Sequence, residues 1–245
     1  MRLFLTIFSF VVPLLVMSQS FPTVEPTGTY FKYDRDGAEE TGDVNGTVQG
    51  APVRVVFEAN ATGIDELGAP RYEWKIWKSE DPSNIIVHRT EESLEYTFTE
   101  SGTFVVQLYV TFYDASGQVY AEFPEEGGDS KAITFSVSES KLEFPNAFSP
   151  NNDGYNDTLR PKDGYQSIVS FDAAIFNRWG NKLYSWTDVN GEWDGKCNGK
   201  TVKDGVYFLV VKAKGADGRK FNIRKTITVL TGYNNGEGNN TGTNE

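Results

Sequence analysis

From Phe104 to Phe112 every second residue is large and apolar: Phe104, Val106, Leu108, Val110 and Phe112 stand on one side of an extended chain, opposite Val105, Gln107, Tyr109, Thr111 and Tyr113. A period of two sustained over that length fits a half-buried β-strand and no helix. The alternation returns at Val53, Val55, Phe57 and Ala59, opposite Arg54, Val56, Glu58 and Asn60, and at Tyr72, Trp74 and Ile76, opposite Glu73, Lys75 and Trp77. Ile85 to Val87, Leu94 to Phe98 and Ile133 to Val137 add three more apolar runs, parted by the turn signals Asp81-Pro82-Ser83, Ser101-Gly102 and Ala115-Ser116-Gly117. About seven short strands with no helical period predict an immunoglobulin-like sandwich over residues 51–140. Residues 21–50 are rich in Gly, Thr, Asp and Glu with one aromatic cluster, Tyr30 to Tyr33, and read as an arm contributing at most an edge strand.

The strand pattern then breaks at Leu142 to Asp157, L-E-F-P-N-A-F-S-P-N-N-D-G-Y-N-D. Pro145 and Pro150 fix φ, Gly154 supplies positive φ, and the Asx side chains bond back to the backbone, so this is a set of turns at a junction. Charge changes sign across it. Residues 21–140 carry 22 acidic and 8 basic side chains, a net of −14, whereas 141–230 carry 10 and 14, a net of +4. Beyond the junction, Val169, Phe171, Ala173 and Ile175 form one apolar strand face, Asn177 to Asn181 turns the chain, and Lys182 to Trp186 returns. Trp193-Asp194-Gly195 and Asn198-Gly199 make a second turn system. Val206 to Ala213 is apolar on both faces, the pattern of a central strand, and Phe221, Ile223, Ile227 and Val229 give a last strand with one wet face. The expected fold is all-β, two consecutive antiparallel immunoglobulin-like β-sandwich domains.

Met1 to Ser20 has one positive charge at Arg2, an apolar run from Leu3 to Met17 and small residues at Ser18 and Ser20, the layout of a secretory signal peptide. Cys197 is the single cysteine, so no intrachain disulfide forms and each domain stands on its core. His88 is the single histidine, and neither G-x-S-x-G nor H-E-x-x-H occurs; the chain reads as no enzyme. An acidic first half argues against nucleic acid as a partner. Asn151, Asn152, Asp153, Asn156 and Asp157 crowd hard oxygens around Gly154, which suits either turn formation or a calcium ion held by Asn151, Asp153 and Asp157. The EF-hand register fails, because with Gly154 at the sixth loop position the twelfth is Arg160. No other cofactor is expected. Trp77, Tyr109 and Tyr113 fall opposite the first core, where flat rings could stack on a surface glycan; aromatic residues are also simply favoured in strands.

Four ordered motifs, Phe148 to Asp157, Ile175-Phe176-Asn177-Arg178-Trp179-Gly180, Trp193-Asp194-Gly195 and Asp204-Gly205-Val206-Tyr207-Phe208, followed by a closing strand Lys225 to Leu230, resemble the gliding-motility-associated C-terminal domain. That family is the type B sorting domain of the type IX secretion system, and the resemblance covers residues 141–231. It singles out Asn151, Asp153, Gly154, Asn156, Asp157, Asn177, Arg178, Trp179, Gly180, Trp193, Asp194 and Gly195. The resemblance implies export through the type IX translocon, an outer-membrane barrel of the PorP/SprF type as partner, residence on the surface of a Gram-negative bacterium, and a role in gliding or adhesion. The Asn177 to Gly180 turn is either offered to a receptor or kept for folding. The family domain commonly ends the protein, whereas here a Gly/Asn/Thr tail, expected to be flexible, continues over 232–245. Tyr96 to Leu108 resembles the later half of a PKD domain, with Trp74 at that family's core tryptophan. Lys75 to Asn84 replaces its Gly-Asp-Gly turn. This second resemblance implies an extracellular spacer or ligand-binding module.

Overall fold

The computed structural model describes residues 21–34, 37–65 and 67–232. The expected signal peptide and the tail beyond residue 232 lie outside the described residues. Strands are the only regular elements described. The first half holds β1 (Thr23–Val24), β2 (Thr27–Tyr33), β3 (Glu39–Asp43), β4 (Val48–Gln49), β5 (Val53–Glu58), β6 (Ala61–Thr62), β7 (Arg71–Lys78), β8 (Asp81–Arg89), β9 (Ser93–Phe98), β10 (Gly102–Tyr113), β11 (Val119–Phe123) and β12 (Ile133–Val137). One sheet runs β3-β2-β5-β9; the other runs β4-β12-β10-β7-β8, with β11 also on β10. The alternating residues meet between the sheets: Val53, Val55, Phe57, Trp74, Ile76, Phe104, Val106, Leu108, Val110 and Phe112 are all buried. Phe98 meets Phe57, Phe104 and Phe135 edge-on, the favoured aromatic geometry.

The stretch 21–50 departs from the expectation of an arm. β2 lies inside its sheet between β3 and β5, and β4 pairs with β12 in parallel. Val24 and Val44 belong to the core. Glycine and threonine gave this stretch little strand signal, yet the glycine is what admits it: a Cβ on Gly28 would stand 2.8 Å from Val44 Cγ1 and 2.9 Å from the Phe57 ring. Asp81-Pro82-Ser83 also differs, since it opens β8 and the turn falls at Ser79 and Glu80. β8 is an edge strand, where a proline removes no ladder hydrogen bond.

The second half contains β13 (Ala147–Phe148), β14 (Ile168–Phe176), β15 (Lys182–Trp186), β16 (Lys196–Cys197), β17 (Lys200–Thr201), β18 (Gly205–Gly215) and β19 (Lys220–Val229). They form one sheet, β13-β19-β18-β14-β15, and the small hairpin β16-β17. All of the sheet's pairs are antiparallel except β13 with β19. The layer facing this sheet is thin. Leu142, Phe144, Leu159 and Trp193 fill it from irregular chain, joined by isolated antiparallel bridges between Leu159 and Trp193 and between Lys141 and Gln166. Pro145, Pro150 and Pro161 explain why no longer ladder forms there, because each removes a backbone donor.

The β18–β19 hairpin tip docks on the first half. Ala216 joins the first core, and its carbonyl accepts from Ser101 N at 3.1 Å. Ser140 gives its backbone N–H and its hydroxyl to the two Asp217 carboxylate oxygens, at 3.1 and 2.7 Å. Ser167, buried with φ of 53°, holds Ser138 Oγ at 2.8 Å and accepts from Ala51 N at 3.1 Å. Gly215 is packed so closely that a Cβ would sit 2.1 Å from Ser140 Oγ.

Two predictions follow from this packing. Gly28→Ala should destabilise the chain by about 1–3 kcal/mol through overpacking, seen as a lower urea midpoint with unchanged slope. An unchanged midpoint would mean that 21–50 is not part of the first core. Desolvation pushes the Asp217 carboxyl upward, but the hydrogen bonds from Ser140 and the Arg219 and Ser140 N–H groups outweigh it, and the net shift is downward. A lowered carboxyl stabilises the joint above the ordinary carboxylate range, and that contribution fades as pH falls through its own pKa. The Ser140 amide resonance should therefore titrate with a midpoint below about 3.9; a midpoint above that value would contradict the joint.

Candidate functional site

Strand direction sorts the motif residues by position. β18 begins at Gly205 and ends at Gly215 in the joint, β14 begins at Ile168 beside the joint and ends at Phe176, and β19 runs from Lys220 to Val229. Asn177 to Gly180, the loop after Phe148, Asp204-Gly205 and Thr231 thus all lie at the end away from the first half. With β18 eleven residues long, the two ends are about 33 Å apart. The sequence motifs converge on this distal pole.

Most of them build it. The Trp193 side chain is 0% exposed, its indole N–H donates to Lys196 O at 2.9 Å, and its ring meets Phe148 and Tyr207 at centroid distances of 5.3 and 5.9 Å. Asp194 accepts from Lys196 N at 3.0 Å and from Lys196 Nζ at 2.8 Å, which holds its carboxyl below the usual range. Gly195 is required twice: its φ is 74°, and a Cβ there would lie 2.8 Å from Pro150 Cγ. The W-D-G turn is thereby keyed into the F-S-P segment, Trp193 on Phe148 and Gly195 on Pro150.

In the loop, Asp157 accepts from Asn152 N at 2.6 Å through one oxygen and from Gly154 N at 2.8 Å through the other. Asp153 takes Tyr155 N at 2.8 Å and Asn151 Nδ2 at 3.0 Å. Asn152, Gly154 and Asn156 have φ of 64°, 87° and 52°, the left-handed region that Gly and Asn tolerate best. The carboxylates proposed above for calcium are thus turned toward backbone N–H groups. Among the described residues no group of three or more His, Cys, Asp or Glu is set to hold a metal ion.

The Asn177 to Gly180 turn is different, because its shape is locked while its tip is open. Asn177 Oδ1 accepts from Trp179 N and Asn181 N, both at 3.0 Å, and Gly180 has φ of 82°. Trp179 is 71% exposed, with the Arg178 guanidinium 4.4 Å from its ring centre. Indole and guanidinium form one cation–π unit standing on the pole. Asp204 was not among the expected site residues. It accepts from Thr231 N at 2.9 Å and Thr231 Oγ1 at 2.6 Å, tying down the chain where it leaves β19, and these bonds hold its carboxyl low. Its signal was the Asp-Gly pair opening β18.

The aromatic residues of the first half are spread out. Trp77 stands opposite Val105 and Tyr109 opposite Glu73, four positions or about 13 Å apart along the strand. Lys75 Nζ lies 4.8 Å from the Tyr109 ring centre. Tyr113 is four positions further, opposite Val119.

Trp193→Ala should destabilise the chain by about 3–5 kcal/mol, as for other buried aromatics, whereas Arg178→Ala should change stability by under about 0.5 kcal/mol. Chemical denaturation of both variants checks the division into a buried key and an open tip. A Trp193→Ala effect below about 1 kcal/mol would place that residue outside the core.

No curated protein matches the chain. Among solved structures, dimeric latent PorU from Porphyromonas gingivalis overlaps 82% of this chain at 11% identity and a TM-score of 0.24, and the chain spans only 23% of the length of that protein. The FN1–FN3 domains of chicken CNTN1 overlap 80% of this chain and 76% of their own, at 8% identity and a TM-score of 0.26. SGBP-B of the Bacteroides ovatus mixed-linkage glucan utilization locus, solved with a mixed-linkage heptasaccharide, overlaps 86% and 48%, at 14% identity and a TM-score of 0.26. None of these overlaps is close enough to carry a statement about activity or partners. Residues 142–229 match the family model of the CHU_C Type IX secretion signal domain, and a signal of that kind implies export to the cell surface by type IX secretion.

Proposed function

We propose that the protein is a non-enzymatic cell-surface protein in which the first domain is an adhesive or structural passenger and the second is the address that brings it through the outer membrane. The observation that carries this reading is the open Arg178–Trp179 tip, 71% exposed at the indole and held on a locked turn at the pole opposite the passenger. An apparatus that handles unrelated passengers needs a feature that does not depend on them, and this pole lies at the far end of the sheet from the joint with the first half. An indole beside a guanidinium is the type of anchor that carries binding energy at interfaces. The resemblance supplies the partner for this reading, an outer-membrane barrel of the PorP/SprF type, and a role in gliding or surface adhesion. His88 is exposed on β8 at 2.8 Å from Glu73, which also pairs with Lys75 at 3.0 Å.

The test follows the full chain in fractionated cells competent for type IX secretion. The unsubstituted chain should reach the surface, and the chain cut after residue 140 should stay in the periplasm. Arg178→Ala should reduce surface delivery while its stability changes by under about 0.5 kcal/mol. Periplasmic retention of the unsubstituted chain would overturn the export reading, and full delivery of Arg178→Ala would remove that residue from it.

A further inference from the structure

β18 is the middle strand of the second sheet and is apolar on both sides. Tyr207, Leu209 and Val211 point toward the Trp193 layer, while Val206, Phe208 and Val210 point away from it. Strands of this composition are ordinarily covered on both faces. On the outer face of this one, among the described residues, Val206 is 51% and Phe208 41% exposed. Across the sheet, Phe176 stands opposite Phe208 and Ala174 opposite Val210. The apolar strip therefore spans β14 and β18 and runs to the turn that carries Trp179. Among the described residues of this half, the exposed large apolar side chains are Tyr155, Trp179, Tyr184, Val206, Phe208 and Leu230, all toward the distal end of the sheet. The residues that follow, 233–245, bring one large apolar side chain, Tyr233.

Cations border the strip. Arg224 stands across from Val210, Lys182 across from Phe176, and Lys212 follows Val210 on the same face with Asp172 opposite it. Neither Lys212 nor Arg224 has an ion-pair partner among the described residues. An apolar centre inside a charged rim is the anatomy of a protein interface, and the rim charges select the partner's sign.

We propose that the strip formed by Val206, Phe208, Val210 and Phe176 is the docking face for a protein of the secretion apparatus, one that offers an apolar ridge edged by carboxylates. This rests on the export reading and extends the recognised surface from the turn to the sheet. The match of residues 142–229 to a type IX secretion signal domain, together with continuity with the Arg178–Trp179 tip, makes the apparatus the occupant; a second copy of the chain, whose acidic first domain would also suit the rim, is the other outcome of the test.

The experiment uses the full chain in type IX-competent cells. The double variant Val206→Ser/Phe208→Ser should lower the protease-accessible surface fraction by about tenfold or more, as for loss of interface anchors, with an unchanged melting temperature. If the melting temperature falls, Lys212→Glu/Arg224→Glu decides, since both side chains are in solvent; it should lower delivery as well. Phe208→p-benzoylphenylalanine should crosslink to a type IX protein on illumination. Normal delivery of the folded variants, or a crosslink only to a second copy of this chain, would overturn the docking face and leave the export reading intact. Retention of the unsubstituted chain would overturn both.

Discussion

The second domain depends on the keying of Trp193-Asp194-Gly195 into Phe148-Ser149-Pro150. A five-stranded sheet has two faces, and among the described residues only one is covered, by chain that makes almost no ladder of its own. Without long runs of backbone hydrogen bonds to fix it, that layer is fixed by shape: an indole wedged between Phe148 and Tyr207, and a glycine with no side chain to hold Pro150 away. Burial of the tryptophan supplies the hydrophobic driving force. The indole N–H bond to Lys196 O keeps its burial from leaving a polar atom without a partner.

This arrangement separates two jobs that the motifs leave mixed in the sequence. Trp193, Gly195, Asp157 and Gly154 are committed to holding the pole together. Arg178 and Trp179 are held by it and contribute little to it. At the other end, Gly215, Ser140 and Asp217 make a tight joint with the first half.

What was legible in the sequence was what is local. Phe104 to Phe112, Val53 to Ala59 and Tyr72 to Ile76 announce their buried faces by alternation, and the central place of Val206 to Ala213 follows from its apolar composition. The stretch 21–50 was not legible, because Gly28 contributes to the core by leaving room for Val44 and Phe57, an effect with no signature in the hydrophobic pattern. Pro82 signalled a turn and instead opens an edge strand, since only the sheet order shows whether its missing N–H matters. Of the candidate site, the Asx and Gly residues were readable as turns. The contact of Pro150 with Gly195 was not, since it joins motifs far apart in the chain.

The joint also has a mechanical meaning. β14, β18 and β19 all run from the joint to the distal pole, so a pull applied at the pole while the first domain is held acts along the strands. Load in that direction shears the ladders, whose hydrogen bonds must then yield together instead of opening one after another. At the joint the same load falls on Ala216 seated in the first core and on the Ser140–Asp217 pair. The sheet of the second half is thus also oriented as a tension member between anything that grips the pole and the first half behind it.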